Sequence, residues 1–472
     1  MMLALTSCAD DSSTQPTPDG PVAVDLADFV DEDKEGTLLL DDLGETREVD
    51  INVGDAPVVL EIDVRGPASV APTLKDSSGA DAGPLAEGWD GGAWFRPRVI
   101  DGGTLTLTLG AGVTSVTISA RGTPPPAVRR ERSLAWTDAA LLDDESAVGL
   151  GRVLSAASDD GQGGVLLDRW LRRFATTSHS ERAGPAQLMD ELATTYGVDP
   201  SSWPLDDLPF KVTGVHNRLD LGPRGGGCGE LRVSLASTHP IYSPLHVLFL
   251  FRQPPREDDV APDGSVHCMG AARRWARLSA LDGDAFLDAA RAVLDEGLVH
   301  ERFLLAESVE LTVSPWEWRQ WKPTGNADEL DNPALFQTVA IPILNTPGAL
   351  RDDFLGFVDE NAEALASRTL EIPERFRGAS ARVPPSAPAE ELSLDGIDAN
   401  ILATYPDLAR SIERVGCPKC HTENANFVQT TVDRTFSPFY DLELDARKTR
   451  LDAQAAGDAV PTPPFGSLQG DP

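Results

Sequence analysis

The hydrophobic period of this chain changes at Thr123-Pro-Pro-Pro126, and that change decides what can fold on either side of it. Upstream, from about Gly36 to Gly122, the runs TLLLDDL, EVDINV, PVVLEIDVRG and GGTLTLTLGAGVTSVTISARG alternate apolar and polar residues between Gly, Asp and Pro turns. A period of two with one apolar face predicts a small all-β sandwich. Downstream the period becomes helical in SLAWTDAALL, GGVLLDRWLRRFA, PAQLMDELATTYG, GDAFLDAARAVLDEGLV and DDFLGFVDENAEALAS. Between these lie β-rich runs: FKVTGVHNRLDL, ELRVSLAS, LHVLFLFRQ, SVELTVSPWEW and LFQTVAIPIL. Strands clustered between helices, without strict alternation, predict an α+β domain rather than a doubly wound sheet.

These patterns predict a multidomain chain. A signal and tether over 1–35 precedes the sandwich (36–122), a stiff linker (123–132) and the α+β domain (133–376). A second linker (377–390), a small, mostly helical C-terminal segment (391–456) and a disordered tail (457–472) complete it. With 472 residues the chain is long enough for two or three cores. The net charge of −35 argues against nucleic acid and against anionic lipid surfaces as partners. No run of eighteen apolar residues offers a membrane span.

Five cysteines stand at 8, 228, 268, 417 and 420. Leu5-Thr6-Ser7-Cys8 resembles the lipobox of bacterial lipoproteins, and the polar Ser/Thr/Pro run behind it resembles their tether. The resemblance implies lipidation at Cys8, anchoring in the bacterial cell envelope and an oxidising compartment for the remaining thiols. The basic region usual before a lipobox is missing here; a start codon farther upstream would supply it. Cys228, in GPRGGGCGELRV, and Cys268, in GSVHCMGAARRW, are expected to form a structural disulfide. Closing that forty-residue loop would stabilise the fold by about 4 kcal/mol in the loop-entropy account. The alternatives are a reactive or a metal-bound thiol.

Cys417-Pro-Lys-Cys420-His421 matches the attachment signature of c-type haem. Two thiols one helical turn apart reach the two vinyl groups of one porphyrin, and the adjacent histidine faces the iron. Cys417 and Cys420 are then the covalent attachment points of one haem c, and His421 the proximal iron ligand. A zinc site would need a fourth ligand that no second C-x-x-C or H-x-x-x-H supplies nearby. A disulfide or redox pair is the other alternative.

No methionine follows His421, so the sixth iron ligand must come from upstream. Methionines 189 and 269 and histidines 179, 216, 239, 246, 267 and 300 are the candidates, and His267 or Met269, flanking Cys268, is singled out. His216, with Asn217, Arg218 and Asp220, reads as a pocket lining or as a hydrogen-bonded structural network, with Arg218 and Asp220 paired on one strand face. Trp316 and Trp318 share a strand face, which suits core packing more than stacking on a sugar or porphyrin. Trp89 and Trp94 read as core or edge residues of the sandwich. No nucleophile triad, H-E-x-x-H helix or P-loop is present, so no catalytic residues are expected.

CPKCHTENANFVQT and SPFYDLELDAR resemble the tails of uncharacterised exported proteins of environmental bacteria in which a C-x-x-C-H motif ends the chain. VTGVHNRLDL, CGELRVSL and PWEWRQW fit the same group, so the resemblance covers roughly two thirds of the chain. The likeness to cytochromes c is confined to Cys417, Cys420 and His421. It implies single-electron transfer or haem-based sensing with a redox partner protein in the envelope. The alternative is an envelope binding or scaffold protein whose C-x-x-C is a disulfide or zinc site. A haem peroxidase would require an open sixth position and a distal His or Arg.

Overall fold

The computed structural model describes residues 4–5, 22–26, 36–41, 47–54, 57–66, 71–82, 86–87, 93–100, 102–121, 126–174, 183–221, 223–224, 227–241, 245–256, 259–260, 264, 266–310, 316–325, 329–331, 341–367, 370, 372–377, 381–383, 392–412 and 429–458. The chain divides into two compact units. One comprises Met1–Arg129, Pro255–Ala280 and Thr449–Pro461; the other comprises Arg130–Pro254, Leu281–Lys448 and Thr462–Pro472.

In the first unit the alternating runs form two sheets. The six-stranded sheet has the order Ala4–Leu5, Gly36–Asp41, Ser115–Arg121, Val58–Arg65, Ala93–Ile100, Ala86–Glu87. The four-stranded sheet runs Val22–Asp25, Arg47–Asn52, Thr104–Leu109, Thr73–Asp76, its first pair parallel. Val49, Ile51, Leu105 and Leu107 of the smaller sheet share one core with Leu60, Ile62, Val116 and Ile118 of the larger. The N-terminal region is therefore all-β, as the period of two requires. Trp94 is buried and donates Nε1–H to Glu61 over 3.0 Å. In the same unit Cys268 caps the helix Met269–Arg277 from a left-handed conformation (φ 59°), and the buried Asp259 carboxylate accepts the Ala271 N–H in its first turn.

The second unit is built on an eight-stranded sheet. Its order is Ala135–Trp136, Phe210–Asn217, Glu230–Ser237, Leu245–Arg252, Phe303–Glu310, Trp316–Pro323, Leu330–Asp331, with Ala381–Val383 also pairing with Trp316–Pro323. All pairings are antiparallel. One transverse row, Trp136, Val215, Val233, Phe249, Ala306 and Trp321, crosses six strands. It lies against helices: Trp170 and Phe174 of the helix Gly163–Phe174 meet Phe249 and Trp321 at centroid distances of 4.8–6.1 Å. Phe286 of the helix Gly283–Gly297 meets Trp136 edge-on at 5.9 Å. Antiparallel pairing with helices packed on the sheet gives the mixed α/β architecture that the clustered strands predict.

Two local expectations change. SLAWTDAALL is not one helix: Arg130–Ser133 is helical, Ala135–Trp136 pairs with the sheet, and a new helix, Ala139–Leu142, starts where Asp138 accepts the Ala140 N–H. Thr137-Asp138 is a cap signal, and the capped start ends the preceding element. LFQTVAIPIL closes not as a strand but as the helical turn Ile341–Leu344. Pro342 lacks the N–H that a ladder uses and that a first helical turn leaves free.

A separate apolar cluster in the second unit joins Phe354, Val358 and Leu365 of the helix Ala349–Ala366 to Phe376, Leu394, Leu408 and Ile412. The first part of the expected β-rich run, residues 335–340, and the motif residues Cys417, Cys420 and His421 lie outside the described residues, as does Cys8.

Candidate functional site

Because strand side chains alternate, the row next to the aromatic one points to the opposite face of the sheet. That row begins His216, Arg232, Leu250 and Leu305; its neighbour on the same face contains Ser234, Leu248, Glu307 and Gln320. His216, Arg232, Ser234 and Glu307 are all buried although they are polar or charged. Burial of this kind is tolerated only where hydrogen bonds and opposite charges compensate it.

The helix Pro438–Ala456 supplies much of that compensation. The Tyr440 hydroxyl lies 2.8 Å from His216 Nδ1, and Ser234 Oγ lies 2.7 Å from Nε2. Arg447 Nη1 donates to the Tyr440 oxygen over 3.2 Å, which leaves the tyrosine proton for Nδ1 and places the imidazole proton on Nε2, facing Ser234. Burial, and then the positive charges of Arg447, Arg232 and Arg218, hold the His216 pKa well below the usual histidine range, so the ring is neutral. Burial also pushes Tyr440 up to about 12.

The charges are paired around this centre. Arg218 grips Asp220 through Nε and Nη2 at 2.9 and 3.2 Å and approaches Glu443 at 3.8 Å. Arg232 Nε donates to Glu230 over 2.7 Å, and Arg447 Nη2 is 2.8 Å from Glu443. Burial raises the Glu307 carboxyl, opposed by nearby Arg232, and Gln320 donates to it over 3.3 Å. Arg218 and Asp220 are therefore paired as expected, but in the tight turn after the strand: the strand ends at Asn217, and Leu219–Leu221 is a 3₁₀ turn. Gly229 makes this turn possible, because at φ +75° a side chain there would put its Cβ 2.3 Å from the Arg218 carbonyl oxygen. Both nitrogens of His216 are engaged, so the cluster is the structural network rather than a ligand site.

The other predicted residues separate clearly. Cys228 and Cys268 are buried and joined in a disulfide. His267 accepts the Met269 N–H at Nδ1 over 3.3 Å and lies 5.7 Å from the Trp94 ring, and Met269 is itself buried. His239 Nε2 is 3.1 Å from Glu191, with Nδ1 accepting the Ile241 N–H. His300 Nε2 is 2.6 Å from Asp159. His179, Trp89 and the side chains of Trp316 and Trp318 fall outside the described residues.

His246 differs from all of these. It stands on the polar face of the sheet, opposite Ala236 and Val309, and is 9% exposed. Among the described residues it has no hydrogen-bond or ion-pair partner, and burial alone pushes its pKa down to about 4. It is a neutral imidazole with unspent lone-pair chemistry.

Sequence reasoning did not assign Tyr440, Glu443 and Arg447 to the network. Their spacing of three and four residues on a helix was the available signal, because it places all three on one face. Among the described residues no group of three or more His, Cys, Asp or Glu side chains could hold a metal ion, and no helix is long and apolar enough to cross a membrane. Compared with protein-family models and with curated proteins, the chain matches none.

Proposed function

We propose that this protein carries one covalent c-type haem on Cys417 and Cys420, with His421 as proximal iron ligand, and serves in single-electron transfer or haem-based sensing in the bacterial cell envelope. The observation that carries the reading is the division of the cysteines. Cys228 and Cys268 are spent on each other, which leaves the two thiols of the C-x-x-C-H motif as a pair of their own beside a histidine.

Two further features support it. A buried structural disulfide belongs in an oxidising compartment, which suits export and lipidation at Cys8. The residue types of the motif also fit that group: two thiols for the porphyrin vinyl groups and an adjacent imidazole for the iron. The bound group would supply a one-electron iron couple. The protein would hold it through the motif on the C-terminal segment, whose last helix the Tyr440–His216 and Glu443–Arg218 contacts fasten to the sheet and the turn after its strand. A redox partner protein completes the function, and a small, mostly helical C-terminal segment is the expected carrier.

The test is a denaturing-gel haem stain and a pyridine haemochrome spectrum on full-length protein made with a cytochrome c maturation system. A stained band that vanishes in Cys417→Ala/Cys420→Ala is expected. A colourless product from a host that matures a control cytochrome would overturn the reading in favour of a binding or scaffold protein with a disulfide or zinc C-x-x-C.

A further inference from the structure

The segment 429–448 covers His216 on the polar face of the second unit's sheet, yet none of the sheet's described strands lies within it. Hydrogen bonds from Thr430 to Thr213 over 3.0 Å, from Arg434 to the Val212 carbonyl over 3.1 Å and from Tyr440 to His216 over 2.8 Å hold the segment to the strand Phe210–Asn217. The sheet keeps its own core on the opposite face, where Trp170 and Phe174 pack on Phe249 and Trp321. A segment attached in this way can leave while the sheet stays folded. Docking also leaves Gln429 Oε1 and Arg447 Nε buried without a hydrogen-bond partner among the described residues, which lowers the free energy of release.

The hydrogen bonds around His216 fit a neutral ring only. Tyr440 donates its O–H to Nδ1 and accepts from Arg447 Nη1 over 3.2 Å, while Nε2–H donates to Ser234 over 2.7 Å. A protonated ring has two N–H donors and no acceptor, so Nδ1–H would meet the tyrosine hydrogen. The charges that face the ring oppose the proton as well. Arg447 on the helix, Arg232 on the next strand and Arg218 in the turn all repel an imidazolium. Glu443, Glu230 and Asp220, which could offset it, are already engaged by those same guanidinium groups. Glu307 acts on Arg232, and Ala135 and Thr430 beside the ring's strand carry no charge.

We propose that the segment 429–448 is an acid-released strap: one proton taken up by His216 expels Tyr440 and frees the segment from a sheet that remains folded. The device depends on neither the haem nor the motif residues. Burial and the three arginines hold the docked ring well below the ordinary histidine value of 6.5, and release restores that value. The docked state is therefore fully favoured above about pH 6.5 and loses ground as pH falls below it. Glu443, held below 4.5 by Arg447 and Arg218 against its burial, stays ionised through this window.

Hydrogen–deuterium exchange of full-length protein at pH 7, 6 and 5, corrected for the chemical pH dependence of exchange, tests this. It compares a peptide within 438–448 with the strands Glu230–Ser237 and Leu245–Arg252. The helix peptide is expected to exchange before the strands at each pH, with its protection falling by roughly 25-fold from pH 7 to pH 5. His216→Gln, whose amide can accept from Tyr440 and donate to Ser234 without titrating, is expected to flatten that fall. Glu307→Gln is expected to keep it. A helix peptide whose protection is flat with pH, or matches that of the strands throughout, overturns the proposal, and this wild-type comparison stands even if a variant does not fold. An unchanged fall in His216→Gln, or its loss in Glu307→Gln, overturns the assignment of the proton to His216.

Discussion

The Tyr440 hydroxyl and His216 Nδ1, 224 positions apart in the chain, lie 2.8 Å apart in a fully buried edge-to-face contact. Through this bond the last long helix and the polar face of the sheet become one structure. The C-x-x-C-H segment is consequently bounded on both sides by residues of that unit, Ile412 in its apolar cluster and Thr430 on the sheet.

Tyr440→Phe removes only an oxygen, yet it strips the partner from His216 Nδ1 and from Arg447 Nη1. A stability loss of about 1–3 kcal/mol is expected, measured as a lowered urea midpoint with unchanged slope. An unaltered midpoint would show that the bond does not fasten the helix.

Acid should loosen the same contact. The folded pKa of His216 lies well below its ordinary value of 6.5, so the folded state disfavours the proton that the unfolded chain accepts. Its contribution is complete above the unfolded pKa and declines as pH falls below about 6.5. Unfolding midpoints should therefore drop on acidification from pH 7 to pH 5, with a shallower drop in His216→Gln. Parallel profiles for the two proteins would refute the assignment.

Asp220→Ala leaves the Arg218 guanidinium buried without its bidentate partner. The expected loss is about 3–5 kcal/mol, with much of it recovered in Arg218→Met/Asp220→Ala, where the stranded charge is gone. Calorimetry of the two variants decides it. A double variant less stable than Asp220→Ala would argue that Arg218 is held by Glu443 instead.

Cys228→Ser/Cys268→Ser opens a forty-residue loop, and a destabilisation of about 4 kcal/mol is the upper expectation. Thiol titration of unfolded, unreduced wild type should find Cys228 and Cys268 unreactive. Labelling of both by a maleimide without reductant would contradict the pairing.

The sequence declared its architecture wherever a period was long. Alternation in TLTLTL and EVDINV announced the sandwich, and the stripe in GGVLLDRWLRRF announced the helix that packs on Phe249. Trp136 was hidden because a two-residue strand carries no period, and Ile341–Leu344 because a short apolar run suits either element until its proline is weighed. The Cys228–Cys268 pair was legible from the count of thiols alone. The partnership of His216 with Tyr440 was not, because no local pattern reports a contact across 224 residues, and His246 stood out only after every other described histidine had been traced to a partner.

The two faces of the second unit's sheet also protect its assembly. Val215 belongs to the aromatic row and His216, one position on, to the charged one. A strand that slipped by a single residue during folding would drive His216 and Arg232 in among Trp170 and Phe249, and would part His216 from Tyr440 and Arg218 from Glu443. Misregistered chains would therefore be rejected by both layers at once. Polar groups buried between elements, such as His216 against Tyr440, thus favour one strand alignment over its neighbours even where they add little to net stability.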